Sequence, residues 1–255
     1  MKNQVEKKSG APIMIIGVVL VAIILIGWYM ISSAKPASNG NINKQIANAN
    51  VAKTSGIPAN APAGATPPNL AGSPTALVMI EEFADFQCGS CAAAHPTMNE
   101  IKSMYGSRIK FIFRNYPLSI PAHDKSYEAA VAAEAAGMQG KFWDMQNMLF
   151  TNQQAWTANP NFKMIWNGYA TKLGLDMAKF ANDMAGIAAK GRVDADLARG
   201  KALSVNSTPT IFLNGVSVDF KDVKVDSLKA LIDAELAKNT APATAPAAPA
   251  TNTNK

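Results

Sequence analysis

Residues 78–91 read VMIEEFADFQCGSC, and this stretch decides the fold. Ala76 to Phe83 is a short apolar run rich in strand formers that follows the turn-forming Gly72-Ser73-Pro74, which predicts a strand. From Cys88 to about Tyr105 the pattern becomes helical, with Pro96 inside the helix, where it removes one backbone hydrogen bond and is expected to kink it. Cys88 therefore falls at a helix N-terminus, where unsatisfied N–H groups and the helix dipole favour an anion. That position predicts a thiolate nucleophile at Cys88, and the spacing lets Cys91 reach round the first turn as the resolving thiol. A Cys-x-x-Cys pair can also be half of a metal site. With His95 four residues past Cys91, and with His123, it could belong to a Cys₂His₂ or copper-delivery set. Pro96 has no role in that alternative.

Working outward, Arg108 to Arg114 (RIKFIFR) alternates apolar and polar residues and predicts a second strand. Residues 124–203 read as successive helices broken at Gly140, near Asn159-Pro160 and at Gly174. Thr210 to Leu213 and Val216 to Phe220 then predict two strands joined by Asn214-Gly215, a signal for a two-residue hairpin turn. A helix from about Asp226 to Lys238 closes the pattern. The order is βαβ, a helical block, then ββα.

The net charge of +6 comes from the ends, because residues 74–240 carry 17 Lys and Arg against 17 Asp and Glu. That balance argues against a nucleic-acid-binding domain. Two cysteines three residues apart cannot form the disulfide framework of a small secreted scaffold. Ala11 to Ile31 is a run of 21 residues without charge, long enough to cross a bilayer core of about 30 Å, with Trp28 and Tyr29 near its far end. It is expected to be an uncleaved signal anchor with residues 1–10 in the cytoplasm. A cleaved signal peptide, with small residues at Ser32-Ser33-Ala34, is the other reading. Ser32 to Ser73 reads as a flexible spacer and Ala241 to Lys255 as a disordered tail, which leaves 74–240 as the folded domain.

VMIEEFADFQCGSC, Pro96 five residues beyond the second cysteine, and Ser207-Thr-Pro209-Thr ahead of a strand together resemble the thioredoxin superfamily. The helical block between the two halves, with FRNYPL (113–118), EAAVAAEAAGMQGKFWDMQNMLF (128–150) and STPTIFLNG (207–215), resembles its DsbA-like branch. The resemblance implies an α/β thioredoxin-like fold with an inserted helical subdomain, at about 120–203. It makes Cys88 the attacking and Cys91 the resolving thiol, and it makes Thr208-Pro209 a cis-proline loop facing the sulfurs. It also puts Glu82 beneath the pair, as an acid that could move protons to or from Cys91; a strand-end surface carboxylate is the plainer reading. Gly89-Ser90 departs from the Pro-His dipeptide of that branch, so no imidazole stands beside the Cys88 thiolate. The function implied is disulfide exchange in exported proteins on the extracytoplasmic side, with no bound cofactor and a quinone-linked membrane oxidase as redox partner. A reductase or isomerase on the same fold is the runner-up. Asp85 is read as solvated, His95 and His123 as surface or helix-packing residues, and Met138, Met145 and Met148 as helical core filling.

Overall fold

The structure, a computed structural model, describes residues 56–240. The expected membrane span Ala11 to Ile31, the spacer up to residue 55 and the tail from Ala241 lie outside the described residues. Among the described residues no helix is long and apolar enough to cross a membrane.

Strands β1 (Asn69–Gly72), β2 (Val78–Ala84), β3 (Ile109–Asn115), β4 (Thr210–Leu213) and β5 (Val216–Val218) form one sheet in the order β1-β3-β2-β4-β5. β2 and β3 are parallel, linked by helix α1 (Gly89–Tyr105), and the other three pairings are antiparallel. Helices α2 (Ser126–Gly137), α3 (Phe142–Thr151), α4 (Gln153–Thr157), α5 (Phe162–Lys172), α6 (Met177–Ala185) and α7 (Ile187–Ala202) are inserted between β3 and β4. Helix α8 (Val225–Thr240) follows the hairpin. The expected breaks fall at Gly140, at 158–161 and at Gly174. In the hairpin turn Asn214 and Gly215 have φ of 46° and 79°, the left-handed pair a two-residue turn of this hand requires.

β2 is central, so both its faces are covered. Val78, Ile80 and Ala84 join Met98 and Ile101 of α1 in the main core, while Phe83 packs edge-on against Tyr116 and Phe212 in a smaller cluster. The second cluster needs Gly200 of α7, because a Cβ there would come within 2.3 Å of the Tyr116 ring. α2 is buried almost throughout, and its alanines let neighbouring helices approach closely. Met145 is buried, and Met138 and Met148 pack against the core.

Two expectations need correcting. The folded unit does not begin at residue 74, since Asn69–Gly72 is a strand paired with β3 inside the stretch read as spacer. β5 ends at Val218, and Phe220–Asp222 form a 3₁₀ turn instead of continuing the strand. The earlier boundary has a polar cause. Arg114 donates to the carbonyls of Ala63 (2.9 Å) and Ala65 (3.3 Å), Arg199 donates to that of Pro62 (2.8 Å), and Asp196 accepts from the Ala65 N–H (2.8 Å). The two guanidiniums also bind Glu81, each through Nε at 2.6 Å, and Arg114 reaches Asp196 at 3.0 Å. Burial alone would raise Glu81, but Arg199 and Arg114 hold it below the ordinary carboxylate range. Nearby, Glu134 accepts from Asn69 and Asn115, both at 2.6 Å, and from Arg192.

Candidate active site

Cys88 is the N-cap of α1, with extended backbone (φ −70°, ψ 120°), and no acidic residue stands in the first turn to compete with a thiolate for the positive end of the helix dipole. Its sulfur is the target of the Cys91 thiol and of the backbone N–H groups of Cys91 and Ser90. Led by the Cys91 hydrogen bond, and against the opposing effect of burial, these donors bring Cys88 down to about 5. Cys91 has no exposed surface, and burial followed by its bond to Cys88 pushes it far above the ordinary thiol range. Both cysteines are buried thiols in this structure, but Cys88 keeps 8% of its surface exposed and is favoured as the anion, whereas Cys91 has none and is held as the acid. Gly89 and Ser90 add no charged side chain to the turn between them.

Thr208-Pro209 is a cis peptide bond, and the Cys88 thiol donates to the Thr208 carbonyl at 3.3 Å. The Thr208 hydroxyl is buried without a hydrogen-bond partner, and it lies near enough to favour the anions of both sulfurs. The proline loop therefore faces the pair across the end of the sheet.

Glu82 lies on the α1 face of β2 and is only 2% exposed, which rules out the surface-carboxylate reading. Burial raises it well above the ordinary carboxylate range, opposed by Lys102 of α1. Burial lowers Lys102 in turn, and its ammonium lies 4.2 Å from the centre of the Trp143 ring. Lys102 was not foreseen, although its place follows from helical spacing along one stripe of α1 from Cys91 through His95 and Met98. For Glu82 the folded value exceeds the unfolded one, so its carboxyl favours folding at low pH and this contribution fades as pH rises through the raised value. Glu82→Gln is therefore expected to stabilise the protein at pH 8 and to change stability little at pH 4, as thermal melts at both pH values would reveal.

Asp85 is buried, not solvated. It accepts from the N–H of Gln87 (2.7 Å), the Ser126 hydroxyl (2.5 Å) and the N–H of Leu118 (2.8 Å), and it pairs with His123 Nδ1 at 2.6 Å. Four partners satisfy the carboxylate and explain its tolerance of burial so close to Cys88. His123 is thus fixed in the active-site wall. His95 is buried and bonds Asn147 of α3 at 3.0 Å, as a helix-packing residue. Among the described residues no group of three or more His, Cys, Asp or Glu side chains is placed to hold a metal ion, so the structure does not bring His95 and His123 together with the cysteines as such a set.

A family model described as thioredoxin matches residues 65–234. Among curated proteins, Na(+)/H(+) antiporter NhaA 1 of Mycolicibacterium gilvum is 32% identical over 58% of this chain, and NhaA of Herminiimonas arsenicoxydans is 33% identical over the same share. These matches take in only 23% and 22% of the antiporters' own lengths. Among solved structures, oxidised BdbD of Bacillus subtilis has a TM-score of 0.58 at 23% identity, covering 69% of this chain and 98% of that one. Alpha-DsbA1 of Wolbachia pipientis has a TM-score of 0.56 at 18% identity, with coverages of 67% and 92%. A thioredoxin-like oxidoreductase of Silicibacter pomeroyi has a TM-score of 0.53 at 23% identity, with coverages of 74% and 100%. The match over 65–234, together with the strand-to-helix cysteine pair and the cis-proline loop, means that this chain belongs to the thioredoxin family, with the fold of its DsbA-type members.

Proposed function

We propose that this protein is a thiol:disulfide oxidoreductase that gives disulfides to exported polypeptides from a membrane tether. The observation that carries the reading is geometric: Cys88 caps the N-terminus of α1 with its sulfur 3.3 Å from the Thr208 carbonyl of the cis Thr208-Pro209 loop, and Cys91 is sealed behind it. In the oxidised protein a substrate thiolate attacks Cys88 Sγ. The Cys88–Cys91 bond breaks, and Cys91 leaves as a thiolate that takes up a proton. A second substrate thiolate then attacks the substrate sulfur of the mixed disulfide and releases Cys88 as a thiolate. Two electrons pass from the substrate dithiol to the cysteine pair. Glu82, buried and raised, is suited to supply or accept the proton at Cys91.

Stabilising the Cys88 thiolate stabilises the reduced form and makes the pair a stronger oxidant. The uncharged run Ala11 to Ile31 supports a signal anchor with the domain outside, and reoxidation there calls for a quinone-linked membrane oxidase. Ion transport is not carried over from the antiporters, because this chain matches under a quarter of their length. A second reading, reductase or isomerase, is favoured by the absence of a cation between the cysteines. Equilibration of the pair with glutathione decides between them. The expected potential lies between about −270 mV for thioredoxin and about −120 mV for DsbA. A value at or below that of thioredoxin would assign the protein to reduction.

A further inference from the structure

The loop carrying the nucleophile is gripped by the helical insertion from two sides. Gln87 Oε1 accepts from the Lys125 N–H at 2.5 Å, just ahead of α2. From the other side Gln153, the first residue of α4, donates through Nε2 to the carbonyls of Phe86 (2.8 Å) and Cys88 (3.0 Å). The Cys88 carbonyl also accepts the opening helical bond of α1 from the Ala92 N–H at 3.1 Å. One amide thus fixes peptide planes on both sides of Gln87 and Cys88, and these planes set where the sulfur points.

We propose that Gln153 is a positioning residue for the nucleophile: by holding the Phe86 and Cys88 carbonyls it keeps the Cys88 sulfur against the helix N-terminus. This rests on the reading of Cys88 as the attacking thiol. Two observations separate the role from simple packing. α4 is anchored without Gln153, because the fully buried Trp156 donates its indole N–H to the Leu149 carbonyl at 2.9 Å. Gln153 itself is half-buried and borders a groove with Ala92 and Phe150, so core filling does not require a glutamine there. What the amide supplies is a donor. The sulfur is stabilised by the Ser90 and Cys91 N–H groups only in one orientation, and a loop released from Gln153 samples others.

The test is ionisation of Cys88 in the reduced full-length chain, followed by thiolate absorbance and by the pH dependence of alkylation, with melting temperature measured alongside. Gln153→Ala and the bulkier Gln153→Met are each expected to raise the Cys88 midpoint by about half a unit, roughly a threefold loss of thiolate fraction below the midpoint. Gln153→Glu, which turns acceptor oxygens and a negative charge towards the two carbonyls, should raise it further. Gln154→Ala, the exposed neighbour, should titrate like the native chain. Unchanged midpoints in all three Gln153 variants would overturn the proposal even if their melting temperatures fell, since only packing would then be affected. A native Cys88 that titrates like an ordinary thiol would instead overturn the nucleophile assignment on which the proposal rests.

Discussion

Cys88→Ser is expected to abolish disulfide exchange, by a factor on the order of 10³ or more, and to leave no covalent adduct with substrate. Cys91→Ser should lose turnover to a similar degree while accumulating mixed disulfides at Cys88. The asymmetry follows from the two environments. Cys88 stands at the helix N-terminus with backbone donors on its sulfur, and Cys91 is sealed from solvent and held protonated. A partner can therefore reach only the first sulfur, and resolution needs the second. Non-reducing electrophoresis with mass spectrometry of the adduct reads the result, and adducts on Cys91 in the Cys88→Ser chain would overturn the assignment.

The second large effect is on stability. Arg114→Met keeps much of the side-chain volume but removes the cation that faces Glu81 and Asp196, both of which have no exposed surface. Breaking a buried pair from one side typically costs about 3–5 kcal/mol, because a desolvated charge is left behind. In a domain of this size that corresponds to a melting temperature lower by on the order of 10 °C. The loss has a predictable pH dependence. With Arg114 gone, burial has less opposition in raising Glu81, and it already raises Asp196 in the native chain. Carboxyls with raised folded values favour folding when protonated, so the deficit should be smaller at pH 5 than at pH 8. Thermal melts of native and variant chains at both pH values check it, and an equal deficit at both would contradict the assignment of the cost to unpaired carboxylates.

What could be read from the sequence was local. The strand before Cys88, the helix after it, the breaks at Gly140 and Gly174 and the Asn214-Gly215 turn are each written in a few adjacent residues. β1 escaped because NLAG carries one large apolar residue and becomes a strand only by pairing with β3. The burial of Asp85 is hidden for a similar reason, since three of the four groups its carboxylate binds, on Leu118, His123 and Ser126, are more than thirty residues away. Glu81 and Glu82 are neighbours whose meanings differ completely. The two-residue alternation of a central strand sends one to the arginines and the other beneath α1, and only the covering helices reveal which is which. Gln153 left no local trace at all, being 65 residues from the carbonyl of Cys88 that it holds.

The strapping of residues 62–65 also has a mechanical side. Apart from one backbone bond of 3.3 Å from Gly56 to Gly215, the first described contacts to resist a pull on this end of the chain are the guanidiniums of Arg114 and Arg199 on the carbonyls of Pro62, Ala63 and Ala65. Tension would load these bonds in shear before it reached β1. Glu81, at their centre, lies on the face of β2 opposite to Glu82 and α1, so these bonds meet the sheet on the side away from the helix that carries Cys88 and Cys91. Load on the start of the described domain would thus be taken up by buried ion pairs on the side of the sheet away from Cys88 and Cys91.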